Sequence, residues 1–574
     1  MKDKKRIHRL LNQIYSNPTI VDQIVERLNF VLDKYQGQIP IRPSAGLSER
    51  DVILIVYPDQ VREPNRAPLQ SLGDFCEHFL KGGVSGIHLL PFFPSSSDDG
   101  FSVIDYREVD SQYGSWNDVK SLCTNFRLMF DAVINHASIQ SSWFKRFILN
   151  DKDHNDYFIE VVGSPDLSDV VRPRALPLLT TFNTSNGTKE IWTTFGADQA
   201  DLNYHNPAVL LDVLDILLDY VKQGAEFIRL DAVAYLWKEI GTTCINLQQT
   251  HWIVQLIRAV LDEAAPTVML ITETNVPHEE NISYFGDGIN EAQLVYNFPL
   301  PPLVLHTFYT GDARVLSRWA SGLESPSEET TYFNFLASHD GIGLNPARGI
   351  LTDTDIENLV QSTKARGGLV SFKTDSSGAQ SPYELNVNYL DALSNPDEPV
   401  DITLGKFITA HAILLAIAGV PGVYFHSLFG SRGWPEGVTR TGHNRSINRE
   451  KLDRGALQAE LENTSSLRAQ VFIRFKHLIS VRTQNPAFKP HSEQLVLKIN
   501  SEVFAILRID RDFKKSVLCF HNVSAKSILV NVDLSLLPYK YPGRLLDLIS
   551  SEQFDVEKFL TFSLAPYQSV WLAN

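Results

Sequence analysis

Apolar residues in the first 48 positions recur at spacings of three and four: Ile7, Leu10, Leu11 and Ile14, then Ile20, Ile24, Leu28, Val31 and Leu32. That period predicts an amphipathic helical arm over residues 1–48. The stretch QIPIRPSAGLSERD breaks it. Beyond the break a different unit repeats, a short apolar run ending in polar or acidic residues and followed by a helical stretch. The runs are VILIVYPD (52–59), GIHLLPFF (86–93), LMFDAVINH (128–136), EFIRLDAV (226–233), TVMLITET (267–274), AQLVYNF (292–298), YFNFLASHD (332–340) and GVPGVYFHS (419–427). Near-continuous apolar strands alternating with helices such as NPAVLLDVLDILLDYVKQG imply a parallel sheet covered on both faces. Eight such units favour a (β/α)8 TIM barrel, although open doubly wound sheets alternate in the same way.

Two spacings are irregular. About 90 residues separate the third and fourth runs, far more than one crossover helix needs, and the excess predicts an inserted B subdomain at 137–200. A second long segment, roughly 341–400, follows the seventh run. From about 490 the pattern changes to short alternating runs, QLVLKIN, EVFAILRID, SVLCFHN, SILVNVDL and QSVWLAN, which predict an antiparallel β domain over 486–574. The barrel is thus assigned to 49–136 and 201–485.

Charge narrows the function classes. The 574 residues carry 52 basic and 67 acidic side chains, a net −15, whereas a nucleic-acid partner calls for a basic face. No run of about 20 apolar residues could span a bilayer, and the charged N-terminus lacks an apolar core of signal-peptide length. Cys76, Cys123, Cys244 and Cys519 are scattered, as expected of reduced thiols in a cytoplasmic protein, and offer no Cys-based metal site.

In a barrel the reactive groups gather where strands end. The candidate strand ends carry Asp131, Asn135 and His136; Arg229 and Asp231; Glu273; His339 and Asp340. A carboxylate inside FIRLDAV is costly to bury unless paired, and Arg229, two residues earlier on the same face, is the natural partner. Buried Asp–Arg pairs are often structural. Carboxylates or imidazoles at four strand ends are much harder to explain by packing.

DAVINH, FIRLDAV, the TET triplet and ASHD, in this order and spacing, resemble the four strand-end motifs of the α-amylase-type retaining glycoside hydrolases. The resemblance covers roughly residues 50–574. It implies Asp231 as nucleophile, Glu273 as general acid/base and Asp340 as a stabiliser holding sugar hydroxyls. A retaining mechanism needs two close carboxyls, one ionised and one protonated. Arg229 would keep Asp231 ionised, and neighbouring carboxylates would push the Glu273 pKa up. His136 and His339 would donate to the glucosyl ring. By the same resemblance, Asp98 and Phe101 of DDGFSVIDY, Tyr235, and Arg445 of HNRSINR would line the glucose subsite.

LDAVAYLWKEIGTTC, NFPLPPLVLH, SHDGIGL, RPRALPLLT and NRSINR look like the sucrose-phosphorylase-like branch, whose members transfer glucose from a small α-glucoside to inorganic phosphate. Arg174 matches that branch's phosphate-binding loop arginine, and Tyr383 a tyrosine that supports it. Sucrose phosphorylases carry Asp-x-Tyr-Gln at the leaving-group side; here the stretch is Ser381-Pro382-Tyr383-Glu384. That departure brings in Glu384 as an acceptor residue. With GIGLNPARGIL, RPRALPLLT and TETNVPHEENISYFG, the chain resembles the glucosylglycerate phosphorylase group more closely, and Arg348 is placed, by position only, as partner of a glycerate carboxylate. Phosphorolysis of sucrose or sucrose 6′-phosphate, hydrolysis of an α-glucoside, and non-catalytic sugar binding remain alternatives. No metal set stands out and no organic cofactor is expected, phosphate being a co-substrate. Small sugars and phosphate are the expected partners of a monomer or homodimer, without nucleic acid or membrane.

Overall fold

The structure is a computed structural model that describes residues 4–40, 46–174, 176–374, 380–395, 397–510, 515–541 and 543–574. All eight apolar runs form parallel strands: β1 (Ile53–Val56), β2 (Gly86–Leu89), β3 (Arg127–Val133), β4 (Ala225–Asp231), β5 (Met269–Thr272), β6 (Leu294–Tyr296), β7 (Thr331–Asn334) and β8 (Val420–Tyr424). They close in sequence order, with β1 bonded to β8, into a single barrel. Closure removes the doubly wound alternative. It also explains the composition of the runs, since a strand between barrel lumen and helical shell sees no water.

Register fixes what faces the lumen. Arg229 on β4 lies opposite Asp131 on β3 and opposite Ile271 on β5. Two residues further on, Asp231 and Glu273 therefore arrive at the same level on neighbouring strands, because side chains alternate with period two.

β7 is shorter than the run YFNFLASHD suggested. After Asn334 the chain leaves the barrel, and the Ser338–Asp340 carbonyls are satisfied from outside: Asn448 Nδ2 donates to Ser338 O (3.2 Å) and Asp340 O (3.1 Å), and Arg449 Nε to His339 O (2.7 Å). Side-chain donors replace the ladder there.

Residues between β3 and β4 form a three-stranded sheet (160–161, 179–184, 187–192), and the pair 136–138/199–201 zips its two stems together. At the C-terminus a six-stranded antiparallel sheet and a two-stranded one enclose a separate core that includes Leu507, Phe520, Phe562 and Leu572. The five alternating runs are strands. The strands 544–547, 553–555 and 559–564 were not foreseen. Within the break at 38–51, residues 41–45 lie outside the described residues.

The arm is two helices, Lys4–Tyr15 and Pro18–Tyr35, the second capped by the Asn17 side chain. It packs on the barrel of its own chain, against helices Pro207–Gln223 and Gln248–Ala264. Arg6 pairs with Asp262 (2.8 Å), Lys34 with Asp215 (2.7 Å), and the Tyr15 hydroxyl donates to Tyr204 O (3.1 Å).

Two buried arginines tie the C-terminal sheets to the barrel. Arg482 donates to the carbonyls of Leu415, Gly419 and Phe488 (3.1–3.2 Å), and Arg508 to those of Ala416 and Lys489 (2.8 Å). Burial pushes the guanidinium pKa values down, to about 9 for Arg482 and about 10 for Arg508. Arg482 also donates to the carbonyls of Glu49 and Asp51, so replacing it with Met removes the donor from five carbonyls at once. The Arg482→Met variant is expected to lose about 3–5 kcal/mol of unfolding free energy, with Arg482→Lys recovering part, read from urea midpoints.

Candidate active site

A pocket opens at the C-terminal ends of the barrel strands and encloses about 820 Å³, solvent at its mouth included. Asp231, Glu273, Asp340, Asp98, Phe101, His136, Tyr235, His339, Arg445, Arg174, Tyr383 and Glu384 all line it. Arg229, expected at the glucose subsite, does not line the pocket; it lies buried beneath Asp231 and Glu273, which do.

The floor is an ion cluster. Arg229 Nη1 donates to Asp131 and to Asp231 Oδ1 (2.7 Å), while Nη2 lies 3.9 Å from Glu273 Oε2. Asp131 is also bonded by His88 Nε2 at 2.8 Å. Burial alone would raise Asp131, but His88 and Arg229 hold it down at about 2. Asp231 behaves differently from the sequence expectation. Burial, reinforced by the charges of Glu273, Asp131 and Asp340, pushes it up to about 8 against the pull of Arg229. The arginine is shared with Asp131, so it does not keep Asp231 low. Glu273 is raised as well, first by burial and then by Asp340, with Arg229 opposing. The two carboxyls therefore share the titrating proton of the site. Arg229 is closer to Asp231, which places the negative charge there and the proton on Glu273.

Backbone strain serves the same pair. Ala232 adopts φ +51°, a left-handed conformation unusual for alanine, and this turn lets its amide donate to Glu273 Oε2 at 3.2 Å. On the opposite rim Asp98 (φ +54°) and Asp99 (φ +50°) precede Gly100 (φ +107°), where a Cβ would lie 2.8 Å from Pro91. Only glycine fits that close approach.

The rim alternates charge. Arg445 donates to Asp340 through Nη1 and to Glu384 through Nη2 (2.6 Å) and Nε (3.0 Å). Arg449 joins Asp99 and lies 3.6 Å from Asp340. Against its burial, Asp340 is held well below the usual carboxylate range by the charges of Arg445 and Arg449. Arg174 Nη2 donates to Asp98 Oδ2 (2.8 Å), which also accepts from Gln199 Nε2 (3.2 Å). His339 stacks on Phe101 with centroids 5.0 Å apart and is kept neutral by burial, its pKa near 3. His136 donates from Nε2 to Phe101 O (2.9 Å), and Asn135 Nδ2 lies 3.2 Å from its Nδ1.

One acceptor expectation is corrected. Arg348 does not line the pocket: its Nη2 donates to Pro382 O (3.2 Å), bracing the strand Gln380–Asn386 from behind. Glu384 does line it, yet both oxygens are occupied, Oε1 by Arg445 Nε and by the Gly341 amide (3.0 Å) and Oε2 by Arg445 Nη2. It also helps hold Arg445, which reaches Asp340. Gln199, Phe195 and Asn275 line the pocket without having been anticipated. The first two come from the insertion, whose sequence carries no local signal of its fold-back. Asn275, two residues after Glu273, was within reach of strand-end reasoning. Lys238, buried against Asn135 Oδ1 (2.6 Å) and Asp201, braces the Asn135–His136 pair.

The chain matches the α-amylase catalytic-domain family over residues 70–341. It is 48% identical over 530 residues to a glucosylglycerate phosphorylase from Spirochaeta thermophila, covering 91% of this chain and 90% of the relative. It belongs to the α-amylase family. Within that family it is also 43% identical over 570 residues to the glucosylglycerate phosphorylase of Escherichia coli K12 (99% and 100% covered), and 30% identical to a sucrose phosphorylase of Agrobacterium vitis (82% and 95% covered). Among solved structures, sucrose 6F-phosphate phosphorylase from Thermoanaerobacter thermosaccharolyticum superposes with a TM-score of 0.73 at 24% identity, over 90% of this chain and 100% of that one, a likeness of fold.

The strain at Ala232 is testable. Ala232→Gly is expected to raise unfolding free energy by about 1 kcal/mol by relieving the left-handed alanine, while the looser amide at Glu273 lowers turnover severalfold, read from denaturation midpoints and initial rates.

Proposed function

We propose that this protein is a retaining glycoside phosphorylase that moves glucose from 2-O-α-glucosylglycerate to inorganic phosphate. The observation that carries the reading is the Asp231–Glu273 pair over Arg229, in a chain 43–48% identical to glucosylglycerate phosphorylases. Both carboxyls reach one guanidinium, and Glu273 accepts from the amide next to Asp231. Such crowding suits a double displacement, which uses carboxyls about 5–5.5 Å apart, better than a single displacement with room for water between them.

In the first step Asp231 attacks C1 of the glucosyl unit. The bond from C1 to the glycerate oxygen breaks, and the Glu273 proton passes to that oxygen. In the second step phosphate attacks C1, the ester bond to Asp231 breaks, and Glu273 takes up the proton the phosphate sheds. α-Glucose 1-phosphate leaves with its configuration retained. Asp340 holds sugar hydroxyls, as do Asp98 and Arg445. No organic cofactor or metal enters the steps. Free, buried Cys76, Cys244 and Cys519 fit a cytoplasmic enzyme, and no described helix is long and apolar enough to cross a membrane.

Incubation with glucosylglycerate, sucrose, sucrose 6′-phosphate and glucosylglycerol, each with and without phosphate, tests the reading. Glucose 1-phosphate is expected from glucosylglycerate in preference to the others and only with phosphate. Free glucose regardless of phosphate would mark a hydrolase instead. Asp231→Asn is expected to lose at least about 10⁴-fold in kcat. The pair must hold one proton to work, and burial raises both carboxyls, so kcat/KM is expected to hold through neutral pH and fall on the alkaline side as that proton is lost. A profile still rising at pH 9 would remove Glu273 as the acid.

A further inference from the structure

Lys238 is a cation sealed inside the molecule. It lies on the segment after β4, and its Nζ donates to Asn135 Oδ1 (2.6 Å), beyond the end of β3, and to Asp201 Oδ2 (2.5 Å), on the returning stem of the insertion. Asp201 also accepts from the Thr194 amide (2.9 Å) and hydroxyl (2.7 Å). Burial presses the Lys238 pKa down, but the charge of Asp201 sustains the ammonium, and a buried ion of this kind is tolerated only when paired. The paired ion ties three segments together. It also does something that a neutral brace could not.

An ammonium has three donors and no acceptor. The Asn135 amide must therefore turn its oxygen to Lys238. That leaves its two Nδ2 protons for Asp201 Oδ2 (3.1 Å) and His136 Nδ1 (3.2 Å). His136 lines the pocket, and burial pushes its pKa down against the charges of Asp201 and Asp98, so the ring is neutral and carries one proton. At Nε2 the surroundings suit either tautomer: Phe101 O (2.9 Å) takes a proton from that nitrogen, and Gln199 Nε2 (3.2 Å) can give one to it. At Nδ1 the hydrogen-bonding neighbour among the described residues is the Asn135 amide nitrogen, a donor. The choice is made there.

We propose that Lys238 is a positioning residue that sets the tautomer of His136: through Asn135 it keeps the imidazole proton on Nε2, the nitrogen beside Phe101 and Gln199 in the pocket wall. The consequence for the sugar rests on the proposed function. A glucosyl hydroxyl that gives its proton to Asp98 has lone pairs left to accept from Nε2–H, whereas the other tautomer would meet them with a lone pair of its own.

Two variants act on the chain of contacts at different links. Asn135→Asp keeps an acceptor for Lys238 but removes the donor at Nδ1, and Lys238→Met removes the cation while filling most of its space. The ring nitrogen-15 signals of His136, identified in histidine-labelled protein as those missing from His136→Phe, report the tautomer without any turnover. Wild-type protein is expected to carry the proton on Nε2, the Asn135→Asp variant on Nδ1, and the Lys238→Met variant on a mixture of the two. In kinetics, each variant is expected to lose about tenfold in kcat/KM for glucosylglycerate, but less than about twofold when added to His136→Phe, because a residue acting through the imidazole then has nothing to act on. A brace that merely held the insertion would cost as much in either background. A wild-type proton on Nδ1, a tautomer unchanged in Asn135→Asp, or losses that add to those of His136→Phe would each overturn the assignment. Wild-type protein that released no glucose 1-phosphate from glucosylglycerate would instead refute the proposed function, and the spectra would still decide the tautomer.

Discussion

A guanidinium buried at the bottom of the barrel mouth organises everything above it. Arg229 is 1% exposed, and an isolated cation there would cost several kcal/mol in lost hydration. It is tolerated because Asp131 and Asp231 bond it directly and Glu273 stands next to them, while the rings of Phe101 and Tyr296 flank it at 5.9 and 5.2 Å. The dependence runs both ways. Three carboxyls could not crowd together without the arginine, and the arginine could not be buried without at least two of them ionised. What remains is a shortage of positive charge, and that shortage leaves one proton in the site at neutral pH. Asp231 and Glu273, the carboxyls proposed as nucleophile and acid, are raised together by one electrostatic compromise.

The rim repeats the device at lower cost, because it is partly wet. Arg445 between Asp340 and Glu384, Arg449 between Asp99 and Asp340, and Arg174 on Asp98 interleave opposite charges around the opening. A protein with net charge −15 would repel a phosphate at long range, but beyond about 8 Å at physiological salt that field is screened. The local sequence of charges decides whether an anion can settle. Glu384 lines the pocket, and its carboxylate also holds Arg445.

Fold legibility followed burial. Strands that see no water on either face read as unbroken apolar runs, so all eight barrel strands were legible, and Asp131, Arg229, Asp231 and Glu273 stood out because charge inside such runs needs a reason. The strands 544–547, 553–555 and 559–564 were hidden because they are short, partly exposed and preceded by Pro538, Pro542 and Gly543, which read as loop. The end of β7 was hidden for another reason. Beyond Asn334, the carbonyls of Ser338, His339 and Asp340 bond donors from residues 448 and 449, more than a hundred positions away. Arg348 failed similarly. Sequence placed it near the acceptor loop correctly, but which side of the strand Gln380–Asn386 it supports is a matter of packing. Asn275 was passed over because an amide beside a carboxylate carries no charge signature, although its orphaned oxygen is plain in three dimensions.

Selectivity between phosphate and water sets a magnitude that the pocket must meet. Water near 55 M against phosphate in the low-millimolar range requires about 10⁴-fold discrimination at the glucosyl-enzyme, about 5.5 kcal/mol. A charge-assisted hydrogen bond contributes about 1.5–3 kcal/mol, so a bidentate arginine supplies roughly 3–6. Arg174 alone is then close to sufficient, provided that it is not neutralised when phosphate arrives. In the empty pocket it is neutralised, by Asp98. On the proposed function, a sugar seated on Asp98 would compete for that partner and leave the guanidinium freer for an anion. An arginine held by two carboxylates, as Arg445 is, changes partner less readily, and an arginine with no partner would attract phosphate to an empty site. The single ion pair between Arg174 and Asp98 is the intermediate case that a two-step exchange of anions demands.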